Sequence, residues 1–262
     1  MTLSHDTAGT GTQTVVLLHS GVCDRRMWEG QFHALAAAGH HVVRCDLRGF
    51  GETPLDAPHV HADDVRDLLD HLGVERSVLV GSSFGGEVAL EVAVRHPERV
   101  AALALLCAAA PVEHDAGPEL RAFFGQEDAL LEAGDVDAAT ALNVDLWCGP
   151  DAGPEARALV HAMQRRAFEL QLAAPDEHGA QPSGVTQGDL EGITVPALVV
   201  TGAHDVPDFR VIAEKTAALL PDARRVELDW AGHLPSLERP EETLALLTDF
   251  LSGLSAPAAA GR

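Results

Sequence analysis

The chain has few basic residues. Its 262 residues contain 18 lysines and arginines against 40 aspartates and glutamates, so the formal net charge is −22. A field of that sign repels phosphate backbones and anionic lipid surfaces, and we therefore expect no nucleic-acid partner. A solvated acidic surface explains the charge more simply than a dedicated acidic interaction site does.

Cysteine is also scarce, and no C-x-x-C or other ligand spacing joins the four that are present: Cys23, Cys45, Cys107 and Cys148. No positively charged segment followed by an apolar one precedes residue 13. These two observations lead us to expect reduced thiols and a cytoplasmic protein. The pairs His40–His41 and His59–His61 have no converging cysteines or carboxylates by spacing, so we predict surface histidines and no metal site.

Long apolar runs and phosphate-binding loops are missing too. The longest apolar run, residues 100–112, falls short of the roughly 18 to 20 residues that cross a membrane, so we expect no membrane partner. The glycine-rich stretch 81–86 has neither the Lys-Ser/Thr ending of a nucleotide loop nor the dinucleotide-binding register. We therefore predict that the protein works without a cofactor.

Apolar residues make up 46% of the chain, enough for the core of one large α/β domain. Short apolar runs alternate with helical patterns, which indicates a mostly parallel sheet with helices on both faces. Strands are predicted at 14–18, 41–45, 78–80, 100–106, 195–200 and 225–228, with an edge strand at 3–6. Helices are predicted at 28–39, 61–72, 87–94, 209–220 and 239–251.

Residues 111–190 break this alternation. They contain no strand-like run, and three helical patterns follow one another at 118–133, 136–147 and 154–172. We interpret this segment as a helical lid inserted into a core domain. The predicted organisation is therefore core at 1–110, lid at 111–190, core at 191–254 and a disordered tail at 255–262.

The stretch from Val78 to Val94 joins an apolar strand to a helix through a G-x-S-x-G turn. A sharp strand-to-helix turn forces its central residue, here Ser83, into strained backbone dihedrals and exposes its hydroxyl. Gly81 and Gly85 lack a Cβ, so the strand and helix can approach each other closely. The N–H of Phe84 would lie at the helix N-terminus, where it can bind a developing negative charge.

A serine hydroxyl needs a base to act as a nucleophile, and the base needs a carboxylate to orient it. His233 follows the last predicted strand, and Asp205 follows the strand before it. Their order, Ser83, Asp205, His233, predicts a catalytic triad. Two other carboxylates remain alternatives for the acid: Asp208, three residues after Asp205, and Glu113, after the strand that ends at residue 106.

In motif order and spacing the sequence resembles α/β-hydrolases over nearly its whole length. The matching motifs are His19-Ser-Gly-Val, Asp46-Leu-Arg-Gly-Phe-Gly, Gly81-Ser-Ser-Phe-Gly-Gly, Gly202-Ala-His-Asp and Gly232-His-Leu-Pro. The resemblance implies the α/β-hydrolase fold and an oxyanion hole formed by the N–H groups of Phe84 and Gly21. Val22 is the alternative donor, because Ser20 stands where family members usually carry glycine.

Residues 19–28 and 147–150 are similar to the enol-lactonase-like branch of the family. We expect a cofactor-free serine hydrolase that cleaves a small carboxylic ester or lactone through an acyl-enzyme. A lyase or perhydrolase using the same triad, or a ligand-binding protein without turnover, are the alternatives. The oligomeric state is left open.

The substrate is expected to be small and largely uncharged, in a pocket under the lid. The lining residues predicted for it are Trp28, Phe123, Phe124 and Trp147, with Leu130, Leu131 and Phe168 from the same helices. A carboxylate substrate would need an inward-pointing arginine, for which Arg121, Arg165 and Arg166 are the candidates. Two other motifs are expected to be structural: His19 steadies the oxyanion loop, and residues 46–51 form a turn with Gly49 and Gly51 at positive φ and Arg48 in an ion pair.

Overall fold

A seven-stranded sheet lies at the centre of the computed structural model, which describes residues 2–255. The strands are β1 His5–Ala8, β2 Thr14–Leu18, β3 His41–Cys45, β4 Ser77–Ser82, β5 Val100–Leu106, β6 Ala197–Gly202 and β7 Ala223–Leu228. The helices are α1 Glu29–Ala37, α2 His61–His71, α3 Phe84–Arg95, α4 Pro118–Glu132, α5 Val136–Trp147, α6 Pro154–Ala173, α7 Pro207–Leu219, α8 Pro235–Glu238 and α9 Pro240–Ser255. Of the tail predicted at 255–262, Ser255 is the last residue of α9 instead, and residues 256–262 lie outside the described residues.

The strand order is β1-β3-β2-β4-β5-β6-β7, and every pair except β1–β3 is parallel. The mostly parallel sheet predicted from the sequence is therefore confirmed. The edge strand lies two residues later than predicted because its ladder with β3 begins at His5, opposite Cys45. Leu3 precedes the strand and is buried in the core instead.

Helices cover both faces of this sheet, as the continuous apolar strands predict. Along β2, Val16 and Leu18 point into one core and Val15 and Leu17 into the other, which follows from the two-residue period of a strand. The first core includes side chains of α2, α3 and α7. The second includes side chains of α1, α9 and the three helices between β5 and β6.

Those three helices, α4, α5 and α6, begin and end within one residue of the predicted bounds. Pro118 and Pro154 stand at the first positions of α4 and α6, where a missing N–H costs nothing. The Asp135 side chain caps α5 by accepting the N–H of Ala138 at 3.1 Å. The division of the chain into a core and a lid stays a prediction. Between residues 2 and 255, no helix has both the length and the apolar character that crossing a membrane requires.

Candidate active site

Ser83 stands between β4 and α3 with φ of 50° and ψ of −117°, a conformation that few non-glycine residues adopt. The turn is tight because two glycines, which lack a Cβ, let neighbouring backbone segments approach each other closely. A Cβ on Gly81 would lie 2.3 Å from the carbonyl oxygen of Gly85, and a Cβ on Gly85 would lie 2.4 Å from that of Leu18. The close approach predicted for these two glycines is confirmed.

Ser83, His233 and Asp205 are brought together at the carboxyl ends of three strands. The Oγ of Ser83 lies 2.8 Å from Nε2 of His233. On the other side of the ring, Nδ1 of His233 lies 2.9 and 3.0 Å from the two carboxylate oxygens of Asp205. A carboxylate only accepts, so Nδ1 carries the proton and Nε2 of the neutral ring accepts from the serine hydroxyl. All three side chains are buried.

The two alternative carboxylates lie elsewhere. Asp208 accepts the N–H of Gly117 at 2.5 Å and contacts Nε2 of His114 at 2.7 Å, so it binds the segment that leads into α4. Glu113 is exposed to solvent. Asp205 is therefore the candidate acid that contacts His233.

Two aromatic rings pack against the imidazole of His233. The ring centroid of Trp147 lies 4.5 Å from that of His233, and the ring of Phe209 lies 4.4 Å away in an edge-on arrangement. The base that contacts Ser83 therefore has two aromatic neighbours. Trp147 was a predicted pocket residue, whereas sequence reasoning missed Phe209. Its signal is its position in the first turn of the helix that follows Asp205.

The predicted oxyanion donors lie beside Ser83. Phe84 is the first residue of α3, so its N–H has no partner within the helix. A Cβ on Gly21 would contact the Cβ of Phe84 at 3.5 Å, which places the Gly21 loop against the start of α3. Among residues 2–255, no group accepts a hydrogen bond from the N–H of Gly21, Val22 or Phe84. Gly21 and Val22 both line the cavity in front of Ser83.

His19 ties this loop to the turn after β3. Its Nε2 accepts the N–H of Leu47 at 2.9 Å, so Nδ1 carries the proton that it donates to the Ser20 carbonyl oxygen at 2.8 Å. Burial lowers the pKa of His19, which keeps the ring neutral. In the turn, Gly49 and Gly51 have φ of 85° and 54°. The structural roles predicted for His19 and for this turn are confirmed.

A cavity of about 390 Å³ opens in front of Ser83. Its lining is Ser20, Gly21, Val22, Phe50, Ser83, Phe84, Phe123, Phe124, Glu127, Asn143, Trp147, Gln164, Phe168, Gln171, Phe209 and His233. Of the predicted pocket residues, Phe123, Trp147 and Phe168 line it, and Phe124 does so with 46% of its surface exposed. Leu130 and Leu131 do not.

The prediction that Trp28 lines the pocket is wrong. Trp28 is 0% exposed and stands at the start of α1, where it belongs to the core between the sheet and helices α1 and α9. The Trp28 side chain fills the core and does not face the cavity. Its direction follows from the packing of α1 on the sheet, which the sequence pattern does not specify.

The three arginines considered for a carboxylate substrate lie outside the cavity lining. Arg165 pairs with Asp137 and Glu169 on the helix surface, and Arg166 also contacts Glu169. Arg121 donates to a backbone carbonyl at the start of its own helix. Their interpretation as residues of a solvated face agrees with these contacts.

The prediction of surface histidines is wrong for His59 and His61, which are 8% and 9% exposed. Their Nε2 atoms lie 3.3 Å apart, and Asp64 lies close enough to complete a possible metal-ligand group. However, both oxygens of Asp64 bind the Arg48 guanidinium, at 2.6 and 2.9 Å, which disfavours a second cation there. Burial, with His59, His19 and Arg48 nearby, lowers the pKa of His61 to about 3.

A second group that could offer metal ligands consists of Cys107, Asp205 and His233. Burial raises the pKa of the Cys107 thiol well above its ordinary value, and the Asp205 carboxylate raises it further. The thiolate that a metal needs is thereby disfavoured. We find no donor set among the described residues that favours a resident metal.

Comparison with known proteins identifies the family. The family model described as alpha/beta hydrolase fold matches residues 13–142. A protein of Variovorax paradoxus, named as a candidate carbamate hydrolase, is 33% identical over 269 aligned positions that cover 98% of both chains. Among solved structures, an esterase from Thermogutta terrifontis has a TM-score of 0.80 at 28% identity, covering 97% of this chain and 94% of its own.

The enol-lactonase from Burkholderia xenovorans LB400 has a TM-score of 0.78 at 25% identity, covering 95% of this chain and 96% of its own. The similarities in sequence and in structure thus extend over nearly the whole length of the chain, and they agree with the motifs and the sheet order. The chain belongs to the α/β-hydrolase fold family.

Proposed function

We propose that this protein is a cofactor-free serine hydrolase that cleaves a small carboxylic ester or lactone through an acyl-enzyme. The observation that carries the proposal is the 2.8 Å contact between Ser83 Oγ and His233 Nε2, with Nδ1 held by Asp205. Esterases and lactonases among the similar proteins support the reaction class. The cavity of about 390 Å³, which is lined in part by aromatic side chains, supports a small substrate.

In the proposed acylation step, Ser83 Oγ attacks the carbonyl carbon and its proton passes to Nε2 of His233. The carbonyl oxygen becomes an oxyanion, which accepts hydrogen bonds from the N–H of Phe84 and from that of Gly21 or Val22. When the intermediate collapses, the alkoxide leaves and takes the proton from Nε2. Asp205 stays ionised and stabilises the imidazolium that forms in between.

In the deacylation step, a water molecule gives a proton to Nε2 of His233 and attacks the acyl carbon. The second tetrahedral intermediate releases the carboxylic acid, and Ser83 recovers its proton. For a lactone substrate, the alcohol and the acid that are released belong to the same molecule. Trp147 and Phe209, which pack on the imidazole, limit the access of other water molecules.

A fluorophosphonate reagent tests the nucleophile. We expect one adduct, on Ser83, together with hydrolysis of short aryl esters. Ser83→Ala should lose the adduct and reduce kcat by about 10³ or more. Ser82→Ala is the matched control, because the neighbouring serine is buried and its Oγ has no hydrogen-bond partner among residues 2–255. Labelling on Ser82, or none on a folded protein, would refute the proposed nucleophile.

Hydrolysis in water enriched in ¹⁸O distinguishes the reaction class. A hydrolase transfers one labelled oxygen to the carboxylic acid product, because water attacks the acyl-enzyme. A lyase would yield an unsaturated product without label, and a perhydrolase would need hydrogen peroxide to form its product. Finding either of these in place of labelled acid would refute the hydrolase assignment.

A further inference from the structure

Besides its aromatic side chains, the cavity wall carries polar ones, among them Ser20, Gln171 and a group contributed by three helices. Glu127 of α4, Asn143 of α5 and Gln164 of α6 bring polar side chains to the same cavity from three different helices. They lie among Phe123, Trp147 and other aromatic residues. Polar groups of this kind, few and convergent in an apolar cavity, commonly orient a ligand.

Both N–H donors of the Asn143 amide are used by protein partners. Its Nδ2 donates to the Glu127 carboxylate and to the carbonyl oxygen of Ala139, the latter at 3.0 Å. Its Oδ1 accepts the Nε1–H of Trp147 at 3.1 Å. These bonds leave Asn143 no free N–H donor, and one of its donors holds the Glu127 carboxylate in place.

Gln164 and Glu127, in contrast, keep polar atoms that have no partner among the described residues. Gln164 is 4% exposed, and its Oε1 has no hydrogen-bond partner within residues 2–255. Such a buried acceptor is costly to leave unpaired. The half-buried Glu127 uses only Oε1, because no group in the described part of the chain donates to Oε2.

The charge of Glu127 is not balanced within the cavity. No lysine or arginine of the described chain lines it. Burial raises the pKa of Glu127, and although the Asn143 amide opposes the rise, nearby Asp128 adds to it. A ligand that donates a hydrogen bond to this carboxylate would relieve that cost.

We propose that the Glu127 carboxylate is the acceptor of a subsite, here called the acceptor subsite, that binds a hydroxyl or ammonium group on the substrate, away from the scissile bond, with the unpaired amide of Gln164 as a second polar group. The inference rests on the proposed ester hydrolysis and specifies its substrate class: small esters or lactones that carry a hydrogen-bond donor. A carboxylate at the same place would meet the like charge of Glu127 in a site of low dielectric, and is therefore selected against.

The test uses four aryl esters of equal length whose acyl chains end in methyl, hydroxyl, ammonium or carboxylate, and a second series with the same ends on the alcohol side. We expect kcat/KM to exceed that of the methyl compound by about 2- to 10-fold for hydroxyl and about 10- to 100-fold for ammonium, in at least one series. The carboxylate compound should fall below the methyl compound.

Variants then assign the preference to residues. Glu127→Gln should reduce the ammonium-to-methyl ratio and raise the carboxylate-to-methyl ratio, each about tenfold. Gln164→Leu should reduce the hydroxyl-to-methyl ratio and provides a second variant should Glu127→Gln fold poorly. Glu132→Gln is the matched control, because it removes a carboxylate charge from the same helix, at an exposed side chain outside the cavity lining. Its ratios should equal those of the wild type.

Two kinds of failure are distinguishable. If the wild type hydrolyses all four esters with equal kcat/KM, or prefers the carboxylate, the acceptor subsite is refuted while the proposed hydrolysis stands. The subsite is likewise refuted if the ratios do not respond to Glu127→Gln and Gln164→Leu. If the methyl esters are not hydrolysed, or are hydrolysed equally well by Ser83→Ala, the proposed function itself is refuted.

Discussion

The carboxylate of Glu238 accepts the backbone N–H of Gly232 with both of its oxygens, at 2.9 and 3.1 Å. One of these oxygens also accepts the N–H of Leu234 at 3.1 Å. The carboxylate thus holds the peptide groups on either side of His233. Glu238 is 7% exposed and is the last residue of the short helix α8. We therefore expect Glu238 to position His233 for Ser83 without contacting substrate.

Replacing Glu238 should impair the alignment of His233. In Glu238→Ala, two buried N–H groups lose their acceptor, at about 1 to 3 kcal/mol each in the free energy of unfolding. A misplaced base should lower kcat by about 10- to 100-fold with little change in KM. Glu238→Gln keeps an acceptor oxygen and should recover part of kcat. Glu241→Ala, at an exposed position of α9, is the control. An unchanged kcat in a destabilised Glu238→Ala would limit the role to stability.

The pH dependence of stability should reflect Glu87. Burial raises the pKa of Glu87 above its ordinary 4.5, and the neighbouring Glu91 raises it further. Between 4.5 and the raised value, the folded protein binds more protons than the unfolded chain, so the free energy of unfolding falls as the pH rises through this window. Glu87→Gln should remove this loss and be more stable than the wild type at neutral pH.

Urea unfolding at a series of pH values from about 4 to 7.5 measures the difference between Glu87→Gln and the wild type. We expect that difference to be small at the acidic end and to grow with pH. The exposed Glu98, just after α3, provides the control variant Glu98→Gln, for which no such trend is expected. A Glu87→Gln protein that is less stable than the wild type at neutral pH would contradict the assignment.

Asp205→Asn and Asp208→Asn should separate catalysis from structure. Asp205→Asn removes the carboxylate that orients Nδ1 of His233, and we expect kcat to fall by up to about 10⁴. Asp208→Asn should change kcat only a few-fold, because its carboxylate binds Gly117 and His114 instead. Steady-state kinetics decide between them, and the larger loss in Asp208→Asn would assign the acid role to that residue.

Trp28→Phe should change the stability of the protein, whereas Trp147→Phe should change its kinetics. Trp28 lies in the core, so Trp28→Phe should lower the free energy of unfolding and leave KM unchanged. The loss should be smaller than the about 3 to 5 kcal/mol that truncation of a buried tryptophan to alanine costs. Trp147 contacts the His233 ring and lines the cavity, so its substitution should change kcat and KM. A large KM change in Trp28→Phe would restore that residue as a pocket candidate.

Much of the fold could be predicted because its signals are local in the chain. The apolar run of β2, the proline at the start of α4 and the aspartate that caps α5 each act on residues within a few positions of themselves. Even the contact of Ser83 with His233, 150 residues apart, could be anticipated. The carboxyl ends of parallel strands lie at the same edge of a sheet. Residues that directly follow these ends therefore lie close to one another.

Residue order and local pattern alone therefore determined the mostly parallel sheet, the bounds of α4, α5 and α6 to within one residue, and the residues that would meet around Ser83. Only the tertiary structure decided which way side chains point from helices whose packing depends on distant partners. In that structure Trp28 lies in the core, and His59 and His61 are buried. Glu127 and Gln164 line one cavity although they belong to separate helices. The physical reason is that neighbouring residues in the sequence largely decide where a helix forms. Which side of the helix faces the core depends on every element packed against it.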